Sequence, residues 1–204
     1  MDDVGKLADL AIKLEKYRYN IAASMSWVIF GMVFATVVLL NNAITLLSDF
    51  FSLPLLFVTL LSATLISATL YREFMKFAPK RKKGTSSLNF AVPFMVAYLV
   101  PVLFEMPPVL TACYCSIAWY PSLGAAIIVA GIRERGDEML VFKPMLPAGI
   151  AIAATTPLLV YLMKFVAQWT HVMGLGLLAT AMMLIAYITC ALYGILRAQK
   201  VITM

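Results

Sequence analysis

Charged residues are scarce in this chain of 204 residues, and they are distributed unevenly. Only 13% of the residues are charged, whereas about a quarter are charged in an average soluble domain. Three long stretches hold one charged residue each: residues 19–71 hold Asp49, residues 84–132 hold Glu105, and residues 144–196 hold Lys164. With a mean hydropathy of +0.93, the composition excludes an ordinary soluble domain.

The length of these apolar stretches predicts the fold. A helix of about 20 apolar residues crosses a bilayer, so each stretch has room for two spans with its lone charge at or near the turn. We therefore predict an all-α integral membrane protein of six transmembrane helices arranged as three hairpins, preceded by an N-terminal amphipathic interfacial helix. The predicted spans are residues 20–42, 51–71, 89–106, 109–132, 144–163 and 170–196. The predicted parts of the chain are a cytoplasmic amphipathic helix over 1–19, a six-span bundle over 20–197 and a cytoplasmic tail over 198–204.

Residues that usually carry catalysis or bind metals are also few. His171 is the only histidine, which excludes a His-based zinc site and a haem held by two protein imidazoles within this chain. Asp49 is the only aspartate in the apolar stretches, which excludes intramembrane hydrolysis by paired aspartates. No Gly-rich phosphate-binding loop is present. We expect no enzymatic activity, no metal site and no cofactor.

The net charge of +6 is explained by topology rather than by nucleic-acid binding. If the N-terminus is cytoplasmic, fifteen of the sixteen basic residues lie on the cytoplasmic side, and only Lys164 lies outside. Basic residues in short loops favour that side, so we predict both termini in the cytoplasm of a multi-pass plasma-membrane protein. The densest run is an inner-surface basic patch made of Lys80, Arg81, Lys82 and Lys83. It fits a topogenic signal, or alternatively a site for an acidic partner or anionic lipid.

The segment before the first apolar stretch has helical periodicity. Apolar Val4, Leu7, Ala11 and Leu14 recur at helical spacing, with charged residues on other faces. The pattern predicts a helix over residues 2–17 that does not cross the membrane. It would lie at the inner interface or dock on a cytoplasmic partner.

Hydroxyl groups and prolines concentrate near the middle of the fourth and fifth predicted spans. A proline removes a backbone donor and leaves a carbonyl one turn back without its partner, which Ser or Thr side chains or water can satisfy. These residues predict either a polar cavity near the midplane or hydroxyl groups that join helices and repair the kinks. The candidate ligand-binding residues are Tyr98, Tyr114, Tyr120, Thr155 and Thr156.

The three isolated charges Asp49, Glu105 and Lys164 fall at neighbouring outer turns in the predicted topology. They predict an outer-side charge cluster with a small ion-pair network, or three solvated turn charges that contribute little individually. Small residues at four-residue spacing predict close helix contacts in addition, for example Gly31 with Ala35 and Gly149 with Ala153.

Two functions fit these observations. The first is a non-catalytic polytopic subunit of a larger membrane assembly, such as a secretion, respiratory or transport complex. The second is a small solute transporter or a membrane-embedded substrate-binding subunit that uses the midplane cavity. In both cases the expected partners are the lipid bilayer and other membrane subunits or a second copy of the chain, and no nucleic acid.

Overall fold

The computed structural model describes residues 2–47, 88–133, 138–165 and 169–203, together with nine single positions between 58 and 76. Within these residues the chain is helical and contains no β-strand. Five helices have defined bounds, and a 3-10 turn over Met163–Phe165 follows the fourth. They are α1 (Asp2–Leu47), α2 (Leu88–Leu103), α3 (Pro108–Arg133), α4 (Met145–Leu162) and α5 (Trp169–Thr203).

Four of these helices are long and apolar enough to cross a membrane, which supports the membrane class predicted from the sequence. Their apolar segments are residues 4–40, 113–132, 145–165 and 172–202. The predicted third span is a helix of 16 residues. At 1.5 Å per residue it is about 24 Å long, shorter than the ~30 Å hydrocarbon layer. Most of the predicted second span, 51–71, lies outside the described residues.

Two predicted boundaries are not helix boundaries. The separate interfacial helix and the first span form one continuous helix, α1, of 46 residues. Likewise α5 continues through the predicted tail as far as Thr203. The physical reason is local: residues 6–30 contain neither proline nor glycine, so no residue that commonly breaks or sharply kinks a helix marks the predicted boundary at residue 19.

The first and last helices pack against each other in antiparallel fashion. A side chain built at Gly194 would contact Ser24, and one built at Gly31 would contact Tyr187 and Leu184. Residues later in α1 therefore contact residues earlier in α5. We call this contact the α1–α5 seam. Its buried members are Asn20, Ser24, Gly31, Ala35, Met183, Tyr187, Ala191, Gly194 and Ala198.

Glycines bring α3 and α4 equally close. A Cβ atom at Gly131 would lie 2.6 Å from the backbone nitrogen of Leu146, and one at Gly149 would lie 2.9 Å from the backbone nitrogen of Ile128. At Gly124 it would lie 2.8 Å from the Cγ2 atom of Ile152. Helix α3 also contacts α2 and α5, so it occupies the centre of the described bundle.

The predicted close contacts are confirmed where the structure describes them. Gly31, Ala35 and Gly149 are buried at helix–helix contacts, and Ala153 lies beside Gly124. The antiparallel contacts also show which helix ends and loops lie together. The start of α1, the loop 138–144 and the end of α5 share one end of the bundle, which we call the Asn20 end. The α2–α3 turn and the 3-10 turn lie at the opposite end.

The glycine contact between α3 and α4 predicts a sharp difference between two alanine substitutions. Gly131→Ala should destabilise the fold by about 1–3 kcal/mol, because the added methyl group meets backbone atoms of Leu146 that cannot rotate away. Gly174→Ala in α5 is the matched control, since nothing lies within 4 Å of its Cβ position. It should leave stability unchanged or raise it slightly through helix propensity. Unfolding in mild detergent measures both, and equal stability of the two variants would contradict the close α3–α4 approach.

Candidate functional site

Two tyrosines join α2 to α3 through their hydroxyl groups. The Tyr114 hydroxyl donates to the carbonyl oxygen of Ala97 at 3.0 Å, and the Tyr98 hydroxyl donates to that of Cys115 at 3.4 Å. Each bond runs from a side chain on one helix to the backbone of the other. The pair therefore acts as a reciprocal link across the α2–α3 hairpin.

The bond made by Tyr114 has a specific cause in the sequence of α2. In a regular helix the Ala97 carbonyl would accept from the backbone N–H of residue 101, four positions on. That residue is Pro101, which has no N–H to donate. The Tyr114 hydroxyl supplies the missing donor. Because an unpaired carbonyl is costly in an apolar medium, this bond couples the proline of one helix to the tyrosine of the next.

The hydroxyl groups of Tyr120 and Thr155 meet on the opposite side of α3, where α4 packs. Their oxygen atoms are 2.6 Å apart. The Thr155 hydroxyl also lies 2.9 Å from the carbonyl oxygen of Ala151, one turn back. If Thr155 donates its proton there, Tyr120 must be the donor in the bond between the two side chains. Thr156 likewise donates to the carbonyl of Ile152, at 2.9 Å.

The five candidate ligand-binding residues therefore do not converge on one space. The hydroxyl groups of Tyr98 and Tyr114 form hydrogen bonds between α2 and α3. Those of Tyr120 and Thr155 form a hydrogen bond between α3 and α4. Every one of these hydroxyl groups has a protein partner. This geometry fits the alternative in which the hydroxyl groups join helices. A ligand at these residues stays a prediction.

Sequence reasoning missed the most buried tyrosine, Tyr187 on α5. Its side chain is fully buried, and its hydroxyl is the only buried side-chain N or O atom in the described residues without a hydrogen-bond partner. The ring packs edge-on against Trp27 at 4.9 Å and closely against Gly31. It belongs to the same core cluster as Tyr120. Tyr187 and Tyr193 lie in the same long apolar run, and the sequence gives no signal that sets Tyr187 apart.

Asn20 was missed as well, because the sequence places it at the predicted start of a span. It is 2% exposed, and its side chain bonds to the loop 138–144. The Nδ2 group donates to the carbonyl of Met139 at 2.8 Å, while Oδ1 accepts from the backbone N–H of Val141 at 2.9 Å. Nδ2 also donates to the Lys16 carbonyl one turn earlier. One side chain thus satisfies three backbone groups and fixes the loop to α1.

The predicted outer charges are placed at the end opposite Asn20, as far as the structure describes them. Glu105 is exposed and has a φ of 46°, in the region that favours glycine. It lies two residues after Leu103, the last residue of α2, and the Met106 N–H bonds back to the Pro101 carbonyl at 3.3 Å, which closes the helix end. Lys164 lies 5.6 Å from the centre of the Tyr161 ring. The structure records no ion pair between Glu105 and Lys164, and Asp49 lies outside the described residues.

Lys80, Arg81, Lys82 and Lys83 also lie outside the described residues, so the basic patch stays a prediction. Among the residues that are described, no group of three or more His, Cys, Asp or Glu side chains is arranged to hold a metal ion. Comparison with known protein families, curated proteins and solved structures gives no match for the chain.

The link between Pro101 and Tyr114 makes a testable prediction. Tyr114→Phe should destabilise the protein by about 0.5–1.5 kcal/mol, because the Ala97 carbonyl loses its only replacement donor. In a Pro101→Ala background the same change should cost little, since residue 101 then donates its own N–H.

Unfolding of the four proteins of this double-mutant cycle in detergent measures the coupling. Tyr161→Phe is the control, because the structure records no hydrogen bond to the exposed Tyr161 hydroxyl. Equal costs of Tyr114→Phe in both backgrounds would show that the two residues act independently.

Proposed function

We propose that this chain is a non-catalytic subunit of a larger membrane assembly, of the kind found in secretion, respiratory or transport complexes. The observation that carries the proposal is the N-terminal part of α1, which is helical, exposes apolar side chains and extends beyond the end of α5. Its exposed apolar residues are Val4, Leu7, Leu10, Ile12 and Leu14.

The length of α1 supports a partner for this segment. Forty-six residues form a helix about 69 Å long, more than twice the thickness of the hydrocarbon layer. Thr203, the last residue of α5, is nine residues beyond Gly194, whereas α1 begins 22 residues before Ser24. In the antiparallel seam, roughly the first dozen residues of α1 therefore extend past the end of α5.

The level of Asn20 indicates that these residues lie outside the hydrocarbon layer. Asn20 bonds to the loop 138–144, and irregular backbone exposed to lipid is not tolerated within the hydrocarbon region. Leu7 is 66% exposed and Leu10 is 59% exposed. Exposed apolar side chains of this kind mark protein or membrane interaction sites, and in this proposal they bind a protein. The covering partner is another membrane subunit or a second copy of this chain.

The same proposal includes six spans, both termini in the cytoplasm and a plasma-membrane location. Its support is that the start of α1, the loop 138–144 and the end of α5 share the Asn20 end of the bundle, and that these segments hold seven of the sixteen basic residues. Labelling of a cysteine at Lys82 by an impermeant reagent, in intact and in opened cells, tests the orientation.

A membrane-embedded solute carrier or substrate-binding subunit is the second candidate. It is favoured by the Tyr187 hydroxyl, which is buried without a partner in the core cluster that also contains Tyr120, the hydrogen-bond partner of Thr155. Such a group could bind a polar solute. The other candidate hydroxyl groups already bond to protein, which supports the subunit over the carrier.

Gentle detergent extraction tests the two candidates directly. The wild-type chain should purify in a fixed ratio with other membrane chains, or as a defined oligomer. Simultaneous Leu7→Ser, Leu10→Ser and Leu14→Ser changes should release a folded monomer, because they remove the exposed apolar surface of α1.

The matched control combines Asp9→Asn and Lys13→Gln on the same segment. It removes an exposed i,i+4 ion pair of 3.0 Å, a kind that contributes little, and leaves the leucines intact. The assembly should survive in this control. A wild-type monomer that retains a bound small molecule would overturn the subunit proposal in favour of the carrier.

A further inference from the structure

Three distant parts of the chain are held together at the Asn20 end by specific contacts. Asn20 of α1 bonds to two backbone groups of the loop 138–144. The Phe142 ring of that loop packs edge-on against Tyr193 of α5, with ring centres 4.8 Å apart. The seam residue Gly194 contacts both Ser24 and Phe142. The loop is thus packed against α1 and α5 together.

This arrangement places basic residues from separate segments at the same end of the bundle. Lys16 lies one turn before Asn20, and its carbonyl accepts from the Asn20 side chain. Arg197 lies one turn after Tyr193, and its Nε and Nη2 groups donate to the Tyr193 hydroxyl at 2.8 and 2.5 Å. The guanidinium also lies 5.1 Å from the centre of the same ring. Lys143 adjoins Phe142 in the loop.

Among the described residues, the charge at this end favours an anionic ligand. Glu15 and Glu138 are the nearby acids in the described residues, and the structure records no ion pair from either of them to Lys16 or Arg197. The positive-inside rule explains on which side of a membrane such cations lie. It does not explain why an arginine is oriented by a tyrosine in the corner where α1, α5 and the loop meet.

We propose that Lys16 and Arg197, with Tyr193, bind the phosphate group of an anionic phospholipid at the Asn20 end. A guanidinium suits phosphate because its N–H groups can donate in pairs to phosphate oxygens. With Nε and one N–H of Nη2 on the tyrosine hydroxyl, the two N–H groups of Nη1 and the second N–H of Nη2 remain for the ligand. Helices α1 and α5 supply apolar surface beside it for the acyl chains, and the loop packs against both helices at this end.

Lipid binding to the purified protein tests the proposal. Short-chain phosphatidylglycerol and phosphatidylcholine are titrated into the full-length protein in detergent, and bound lipid is counted by native mass spectrometry. Wild type should prefer phosphatidylglycerol. Because each cation near an anionic headgroup contributes about 1 kcal/mol, Lys16→Gln and Arg197→Gln should each weaken that binding about fivefold.

Two controls remove the same charge elsewhere. Arg18→Gln lies on the same turn of α1 as Lys16, but two residues from it and so on a different face. Lys164→Gln lies at the opposite end of the bundle and also removes a cation beside a tyrosine ring. Neither control should change the affinity for phosphatidylglycerol appreciably.

Several results would overturn the proposal. Equal weakening by all four variants would indicate diffuse attraction to net charge instead of a site. Equal binding of the two lipids by wild type would rule out recognition of the anionic group. Displacement of phosphatidylglycerol by millimolar inorganic phosphate would assign the site to free phosphate and not to a lipid. Thermal unfolding without lipid identifies any variant that fails to fold. If Arg197→Gln does not fold, the lipid affinity of Lys16→Gln decides the test.

Discussion

The antiparallel contact between α1 and α5 is the interaction on which the described structure depends. It joins the two ends of the chain, and it is possible only because small residues let the two backbones approach. Gly194 lies against Ser24, and Gly31 lies against the ring of Tyr187. The loop 138–144 is then fixed at one end of this pair by Asn20. Without the seam, neither the projecting segment of α1 nor the cationic corner near Arg197 would have a defined position.

The second constraint is the cost of an unpaired backbone group in an apolar medium. Four prolines lie inside the described helices, and each removes one N–H from its helix. At Pro101 the structure shows the remedy, because Tyr114 donates to the carbonyl that the proline leaves free. At Asn20 the same cost is met by a side chain that satisfies a loop. Tyr98, Tyr114 and Asn20 thus complete the backbone hydrogen bonding of neighbouring segments, which explains why two of the five candidate ligand-binding hydroxyls have backbone partners on another helix.

The sequence predicted the helical membrane class well, since apolar length and scarce charge are local properties. It also predicted the close contacts at Gly31 and Gly149, because small residues at helical spacing let the backbones of membrane helices approach closely. It did not predict the continuity of α1 through residue 19. The pattern of charged and apolar side chains over residues 2–17 suits a helix that lies on a membrane surface and a helix that projects from it equally well.

Contacts between residues far apart in the sequence could not be predicted for a different reason. The bond from Asn20 to Val141 spans 121 positions of sequence, and nothing near Asn20 specifies the loop it will meet. The repair of proline kinks by hydroxyl groups was predicted in general. The pairing of Tyr114 with Ala97 required the register of α2 against α3. Tyr187 lacks a sequence signal altogether, because its unpaired hydroxyl is a property of its surroundings.

An engineered disulfide tests the α1–α5 seam most directly. A Cβ atom at Gly194 would lie 3.5 Å from that of Ser24, within the ~3.5–4.5 Å range of natural disulfides. Cys113, Cys115 and Cys190 are free thiols and are first replaced by alanine. In native membranes, Ser24→Cys with Gly194→Cys should then form an intramolecular disulfide rapidly under mild oxidation. The control pair, Ser24→Cys with Gly174→Cys, should stay reduced. Failure of the first pair to crosslink, or equal crosslinking of both, would contradict the antiparallel contact.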